Sequence, residues 1–413
     1  MYNMNGEHGP GGLMAVVHEM MNRLLGPGAN LDAITAVQVE GMGKMLNELL
    51  PPRSRPVVAN LYAWQRHIFG VCNMHAIYGP QNVFATHPEL EKEFWDFEEG
   101  MLGLVVDVFP SFTAPKAFKA RSKVLDGLVE YVRTDRYKSA STLIQERIQT
   151  NLSFGMSQAM AGHGELVLMF GILGNAVPSS FWLITHLFSR PDLLARVRRE
   201  LQNALELEHS PKLGNTDEEV AVAIHAKQIN MKTCPLLYSC YRETLRDISL
   251  LTSPKMVLQD TAIPRNDGKG DYLLRKDSIV QIAGGIMGQD PAIWGEDAHD
   301  FNPERFLRPQ TSSTGNSAEA VTLPPGVPSA AYRAFGGGTV ICPGRHFAQS
   351  ELMTFAAVLA LGFEVTEADG TILRLPAKDD TRIPLSVMKP IYDPLVSIRR
   401  REGWESVKWQ IGL

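Results

Sequence analysis

The chain has 413 residues, 44% of them hydrophobic and 21% charged, with a formal net charge of −5, the profile of a globular protein with a large core. A slightly acidic balance gives no basic stripe for nucleic acid, so no nucleic-acid partner is expected. The cysteines Cys72, Cys234, Cys240 and Cys342 form neither a C-x-x-C pair nor a regular ladder, which argues against a disulfide framework or zinc ribbon and for a reducing, intracellular setting.

In chain order, the first thirty residues lack the basic-then-apolar pattern of a signal peptide. The first half reads as helical, punctuated at 26–30 (GPGAN), 50–56 (LPPRSRP) and 78–82 (YGPQN). Residues 166–185 carry no charge and are long enough to span a bilayer. Asn175, Pro178, Ser179 and Ser180 lie at their middle, however, so a buried core helix is expected instead. Pro178 has no N–H for the carbonyl of Gly174, and its ring crowds that group. The helix should therefore open there and leave a polar notch beside Asn175.

Helices are also expected over 190–207, with Pro191 and Asp192 in the first turn, and over 235–249. The period then changes. Strands are expected at 277–283, at 362–375 with the turn pair Asp369-Gly370, and at 395–400. A helix over 345–361 intervenes, with Ala348, Leu352, Phe355 and Leu359 on one face. The low-complexity stretch is a Ser/Pro/Gly-rich run over 311–331. This order is mainly α with a small β part, without the βα alternation of a Rossmann or barrel fold. It predicts one domain over 1–413, helix-rich over 10–250 and carrying the small sheets over 250–413.

The segment 335–344, FGGGTVICPG, holds the lone Cys342. Its glycines permit turns and close approaches that side chains block. The thiol precedes a helix N-terminus, where the dipole and free N–H groups favour thiolate. Such a group can be a nucleophile with His346 nearby as base, an iron ligand, or an incidental cysteine in a turn. Glu243 and Arg246 are i and i+3 on one helix face, and Arg305, in FNPERFL, is a third charge that could close a buried network.

The series E-x-x-R, then P-E-R-F, then F-x-x-G-x-x-x-C-x-G closely resembles a cytochrome P450, over nearly the whole chain from about residue 10. The resemblance implies haem b with Cys342 as axial thiolate, pushing electron density toward bound oxygen. It implies that Phe335 packs beside the thiolate loop, that Gly338 lets the backbone pass close to the porphyrin, and that Glu243, Arg246 and Arg305 form a structural network. The uncharged helix would cross the distal face. There the usual acid–alcohol pair of the family is replaced by Gly174 and Asn175, the expected catalytic positions. The pattern GNAVPSSFW is similar to the branch that holds sterol 7α-hydroxylases and prostacyclin synthase, in a fungal-type member. Pocket residues are expected at Phe170, Leu173, Gly174, Val177, Leu251, Thr252 and Val387.

The chain departs from the family where Val340 replaces the propionate-pairing Arg or His, with Lys255 and Arg345 as replacements. Trp64 and Arg66 lack the W-x-x-x-R spacing of another propionate contact. Family members usually begin earlier, with an anchor, a hinge and the first strands, so the amino end reads as shortened. Location is expected to be cytoplasmic as given, or at the endoplasmic reticulum if an anchor precedes. The activity implied is monooxygenation (hydroxylation or epoxidation) of a lipophilic terpenoid, sterol or secondary metabolite by a monomer, with O2 and NADPH–cytochrome P450 reductase. The alternatives are a reductant-independent peroxide isomerase or dehydratase and a truncated, non-catalytic remnant.

Overall fold

The computed structural model describes residues 11–106, 108–207, 219–265, 268, 270–311, 317–380 and 387–413; part of the Ser/Pro/Gly-rich run, 312–316, lies outside them. The helices of three turns or more among these residues are α1 (Leu13–Leu25), α2 (Ala29–Leu49), α3 (Leu61–Tyr78), α4 (Glu89–Glu99), α5 (Pro115–Arg133), α6 (Thr142–Ser153), α7 (Gln158–Phe188), α8 (Pro191–Ala204), α9 (Pro235–Ile248) and α10 (Arg345–Gly362).

Helix α7 is the axis of the fold. Ser157 caps it by accepting the Met160 N–H at 3.2 Å. Leu173, Val177, Phe181 and Trp182 are fully buried against α3, α5, α9 and α10. It is long and apolar enough to cross a membrane, but 72% of its most apolar window is inside the protein, as a core helix requires. The expected opening at Pro178 does not occur: α7 runs unbroken from Gln158 to Phe188 with the proline inside. Packing from four neighbouring helices outweighs the lost N–H, and the Ser179 hydroxyl donates to the Asn175 carbonyl at 2.7 Å.

Helices α8 and α9 start as their sequences direct, each with Pro at its first turn. Glu200 on α8 accepts the N–H groups of Leu236 at 2.7 Å and Leu237 at 2.9 Å, tying the start of α9 to α8. Burial pushes its carboxyl up to about 7, although those two N–H groups work against the shift.

The strands are β1 (Val57–Asn60), β2 (Val220–His225), β3 (Thr252–Met256), β4 (Thr261–Ile263), β5 (Tyr272–Leu274), β6 (Ile279–Ala283), β7 (Leu307–Thr311), β8 (Ser317–Val321), β9 (Phe363–Glu367), β10 (Leu395–Arg400) and β11 (Val407–Gly412). They form small sheets in the orders β1-β10-β9, β2-β11, β3-β6, β4-β5 and β7-β8. All the pairs are antiparallel except β2-β11. The strand expected over 362–375 ends at Glu367. After the turn, where Gly370 has φ +85, only a bridge from Ile372 to Thr366 continues the pairing. Arg400, buried on β10, donates to the Leu50 carbonyl at 2.7 and 3.0 Å, to the Pro51 carbonyl at 3.1 Å and to the Val407 carbonyl, so it satisfies chain ends that helix geometry leaves open.

Candidate active site

The loop before α10 is shaped by two left-handed glycines, Gly336 (φ +75) and Gly338 (φ +67). The Cys342 N–H donates to the Phe335 carbonyl at 2.9 Å, closing the loop on itself. Arg345 donates to the Cys342 carbonyl at 3.0 Å. Burial pushes the Cys342 thiol up, while the N–H groups of Gly344 and Arg345 and the Arg345 charge pull it down. Burial wins. The helix start lowers the cost of the anion, as the sequence led one to expect, and a positive partner would complete it.

Above this loop lies a cavity of about 380 Å³. Its floor holds Phe335, Val340 and Cys342, with Phe347, Ala348, Glu351 and Leu352 of α10. Its opposite wall is α7, which presents Leu168, Gly171, Ile172, Asn175, Ala176 and Ser179. Met21 and Leu25 of α1 close one side, and Leu251 and Val387 another. No Lys, Arg or His is among the described lining residues.

Of the residues expected from sequence, Cys342, Phe335, Asn175, Leu251 and Val387 line this cavity. Phe170, Leu173, Gly174 and Val177 do not: the lining face of α7 is the one through Gly171 and Asn175. Leu173 and Val177 point into the core, and Phe170 packs on the Phe97 ring at 6.4 Å. Gly174 would carry a Cβ 3.4 Å from Phe170, on that same side. Thr252 is exposed at the start of β3. Lys255 pairs with Val280 in the same ladder, and Arg345 is spent on the Cys342 carbonyl, so neither lines the cavity. Gly338 also lies outside the lining; its need is the positive φ of a short turn over Gly338–Val340. Arg66 lies over the Tyr62 and Trp95 rings at 4.5 and 4.9 Å, away from the cavity lining. Glu351 was missed; its only sequence signal was helical phase.

Behind the floor, Glu243, Arg246 and Arg305 come together fully buried. Glu243 accepts Arg246 Nε at 2.7 Å and Nη2 at 2.8 Å, Arg305 Nε at 3.0 Å, and the Asn302 N–H at 2.9 Å. The guanidinium of Arg246 also reaches the carbonyls of Gly288, Ala298 and Asp300; that of Arg305 reaches those of Trp294, Asp297 and Asp300. One turn on, burial pushes the Asp247 carboxyl up, but His186 and Lys378 outweigh it and hold the group well below its ordinary range.

A family model described as Cytochrome P450 matches residues 108–389. The chain belongs to the cytochrome P450 family. It is 29% identical over 392 residues to the cytochrome P450 monooxygenase nodJ of Hypoxylon pulicicidum, covering 95% of this chain and 72% of that protein. A cytochrome P450 monooxygenase of Gibberella zeae is 31% identical over 86% of this chain and 65% of its own length. Cholesterol 7-alpha-monooxygenase of Cricetulus griseus is 27% identical over 69% of this chain and 56% of its own length. Fungal members and a sterol 7α-hydroxylase are thus among its relatives, as GNAVPSSFW led one to expect. The chain spans between 56 and 72% of their lengths. Among solved structures, the retinoic-acid-bound cyanobacterial CYP120A1 matches with a TM-score of 0.66 at 21% identity, covering 93% of this chain and 78% of that one. The heme domain of cytochrome P450DA matches with a TM-score of 0.67 at 15% identity, covering 94% of this chain and 77% of that one. At those identities the likeness establishes the cytochrome P450 fold.

For haem, the family's cofactor, the residues present fit the iron and the apolar face of the ring. Cys342 supplies a sulfur met by two backbone N–H groups, and the space in front of Gly171 is open, with nothing within 4 Å of a Cβ built there.

Proposed function

We propose that this cytochrome P450 is a haem-thiolate monooxygenase that inserts one oxygen atom into a lipophilic small molecule, a terpenoid, sterol or related secondary metabolite. Haem b bound at Cys342 would supply oxygen activation, with O2 and a reductase fed by NADPH, as is general for the family. The observation that carries the reading is the cavity between Cys342 and α7, whose lining is mainly apolar. Cys342 would ligate the iron, its charge steadied by the N–H groups of Gly344 and Arg345. Gly171 leaves clearance on α7, and Asn175 provides an amide where the family usually has its acid–alcohol pair. The Asn175 amide leans toward the Gly171 carbonyl at 3.5 Å, near enough to α7 to orient a water or a substrate oxygen without blocking the cavity. Leu251, Val387, Ile172 and Leu168 would hold the hydrocarbon part and exclude water.

The test is the reduced, CO-treated spectrum. The intact protein is expected to give the strongly red-shifted Soret band of a thiolate-ligated haem, and Cys342→Ser to lose it. No haem spectrum from the intact protein would sink the reading. Turnover dependent on NADPH and reductase supports oxygen insertion, whereas product from a hydroperoxide, without oxygen or reductant, would replace it with the isomerase chemistry of the same haem.

A further inference from the structure

Glu351 is a carboxyl on the cavity floor with no positive partner among the described residues. It lies nine residues after Cys342 on α10 and is 1% exposed. Its Oε2 accepts Asn73 Nδ2 of α3 at 2.9 Å and Gln38 Nε2 of α2 at 3.3 Å. Among the described residues no Lys, Arg or His stands within ion-pair distance of it. The groups around it are neutral. Burial pushes the Cys72 thiol of α3 up to about 12 and the Tyr241 hydroxyl of α9 well above its ordinary range, with Glu351 itself contributing to both shifts. Of the charged groups on other elements against α10, Arg198 of α8 pairs with Glu364 of β9 at 2.9 Å, Lys227 with Asp32 at 2.8 Å, Glu165 of α7 with Arg147 at 2.9 Å and Arg246 of α9 with Glu243 at 2.7 Å; Glu48 of α2, which also raises the Cys72 thiol, is exposed and negative.

The amides make the same point independently. Gln38 Oε1 and Asn73 Oδ1 are buried with no hydrogen-bond partner, and so is the Tyr241 hydroxyl. A carboxylate at this node brings only acceptors to a place already short of donors. A carboxylic acid brings one O–H, which a rotation of either amide can receive. A buried, unpaired charge is also the costlier of the two states.

We propose that Glu351 is carried as a neutral acid and is a positioning residue for Cys342: through it α2 and α3 fix α10, the helix that Cys342 leads into, and its ionisation loosens that fix. The shift agrees in direction, since burial pushes this carboxyl up to about 8 against the Asn73 N–H. The proposal uses the Cys342–haem reading but not the reaction.

The test uses haem-loaded protein. Infrared difference spectra are expected to contain a protonated-carboxyl band that disappears as pH is raised through about 8 and is missing in Glu351→Gln. In the reduced CO complex, the thiolate Soret band of the wild type should give way to a shifted band over the same pH interval. Glu351→Gln should keep the unshifted band throughout, and Glu351→Asp should restore a titration with a displaced midpoint. Absence of the carboxylic band, or a Soret response that is the same in wild type and Glu351→Gln, overturns the proposal. Absence of a thiolate band at every pH would instead fault the Cys342 reading, while the infrared arm still reports on Glu351.

Discussion

Two buried glutamates flank the Cys342 loop of this cytochrome P450, and they are carried in opposite ways. Glu243 sits between two guanidinium groups and receives four short hydrogen bonds from them and the Asn302 N–H. Glu351, equally buried, receives two amide N–H groups and no cation. The first is a charge made tolerable by complete pairing; the second is a proton made tolerable by the lack of it. The former suits a rigid brace and the latter a responsive one.

The largest test breaks the first of these. Glu243→Ala leaves Arg246 buried without a counter-charge and Arg305 with only the half-exposed Asp297 carboxylate at 2.9 Å, and is expected to cost about 3–5 kcal/mol, read as a lower urea midpoint with an unchanged slope. Glu351→Gln keeps the shape and the neutral state, so near neutral pH it should stay much closer to wild type.

The contrast sharpens with pH. The fold raises the Glu351 carboxyl from 4.5 to about 8, so the folded state holds the extra proton between those values. Its contribution to stability is complete below pH 4.5 and lost as pH rises through 8. Glu351→Gln should flatten that decline in pH-dependent unfolding. Asp247, held below its ordinary 3.8, has the opposite sign: its contribution is present above that pH and fades only toward acid, untouched by the Glu351 substitution.

The smallest effect is expected at Asn73. Its N–H lowers the Glu351 pKa against burial, so Asn73→Leu should move the infrared midpoint further up. The accompanying loss of stability should be about 1 kcal/mol, the worth of one hydrogen bond.

How much of this was legible in the sequence follows the same division. Glu243, Arg246 and Arg305 were legible because their spacing and turn context are local signatures. Cys342 was legible because its loop needs glycines that little else explains. The lining face of α7 was not: a helix uncharged on every side has no polar stripe to set its phase, so Leu173 and Val177 were placed on the wall that Gly171 and Asn175 occupy. Glu351 escaped for a related reason. Ala348, Leu352, Phe355 and Leu359 marked one apolar face of α10, and nothing in that pattern singled out the glutamate beside Leu352. Its burial depends on Gln38 and Asn73, which lie 313 and 278 positions away and leave no trace in the local pattern. Pro178 misled in the other direction, since a local rule lost to the packing around α7.

One contact also sets an order of events during synthesis. The guanidinium that satisfies the Leu50 carbonyl belongs to Arg400, 350 positions later. At about 5–20 residues per second, a ribosome needs roughly 20–70 s to travel between them. Through that interval the end of α2 waits with its carbonyl unmet by the residue meant for it, so this seam of the protein cannot close before Arg400 has been made.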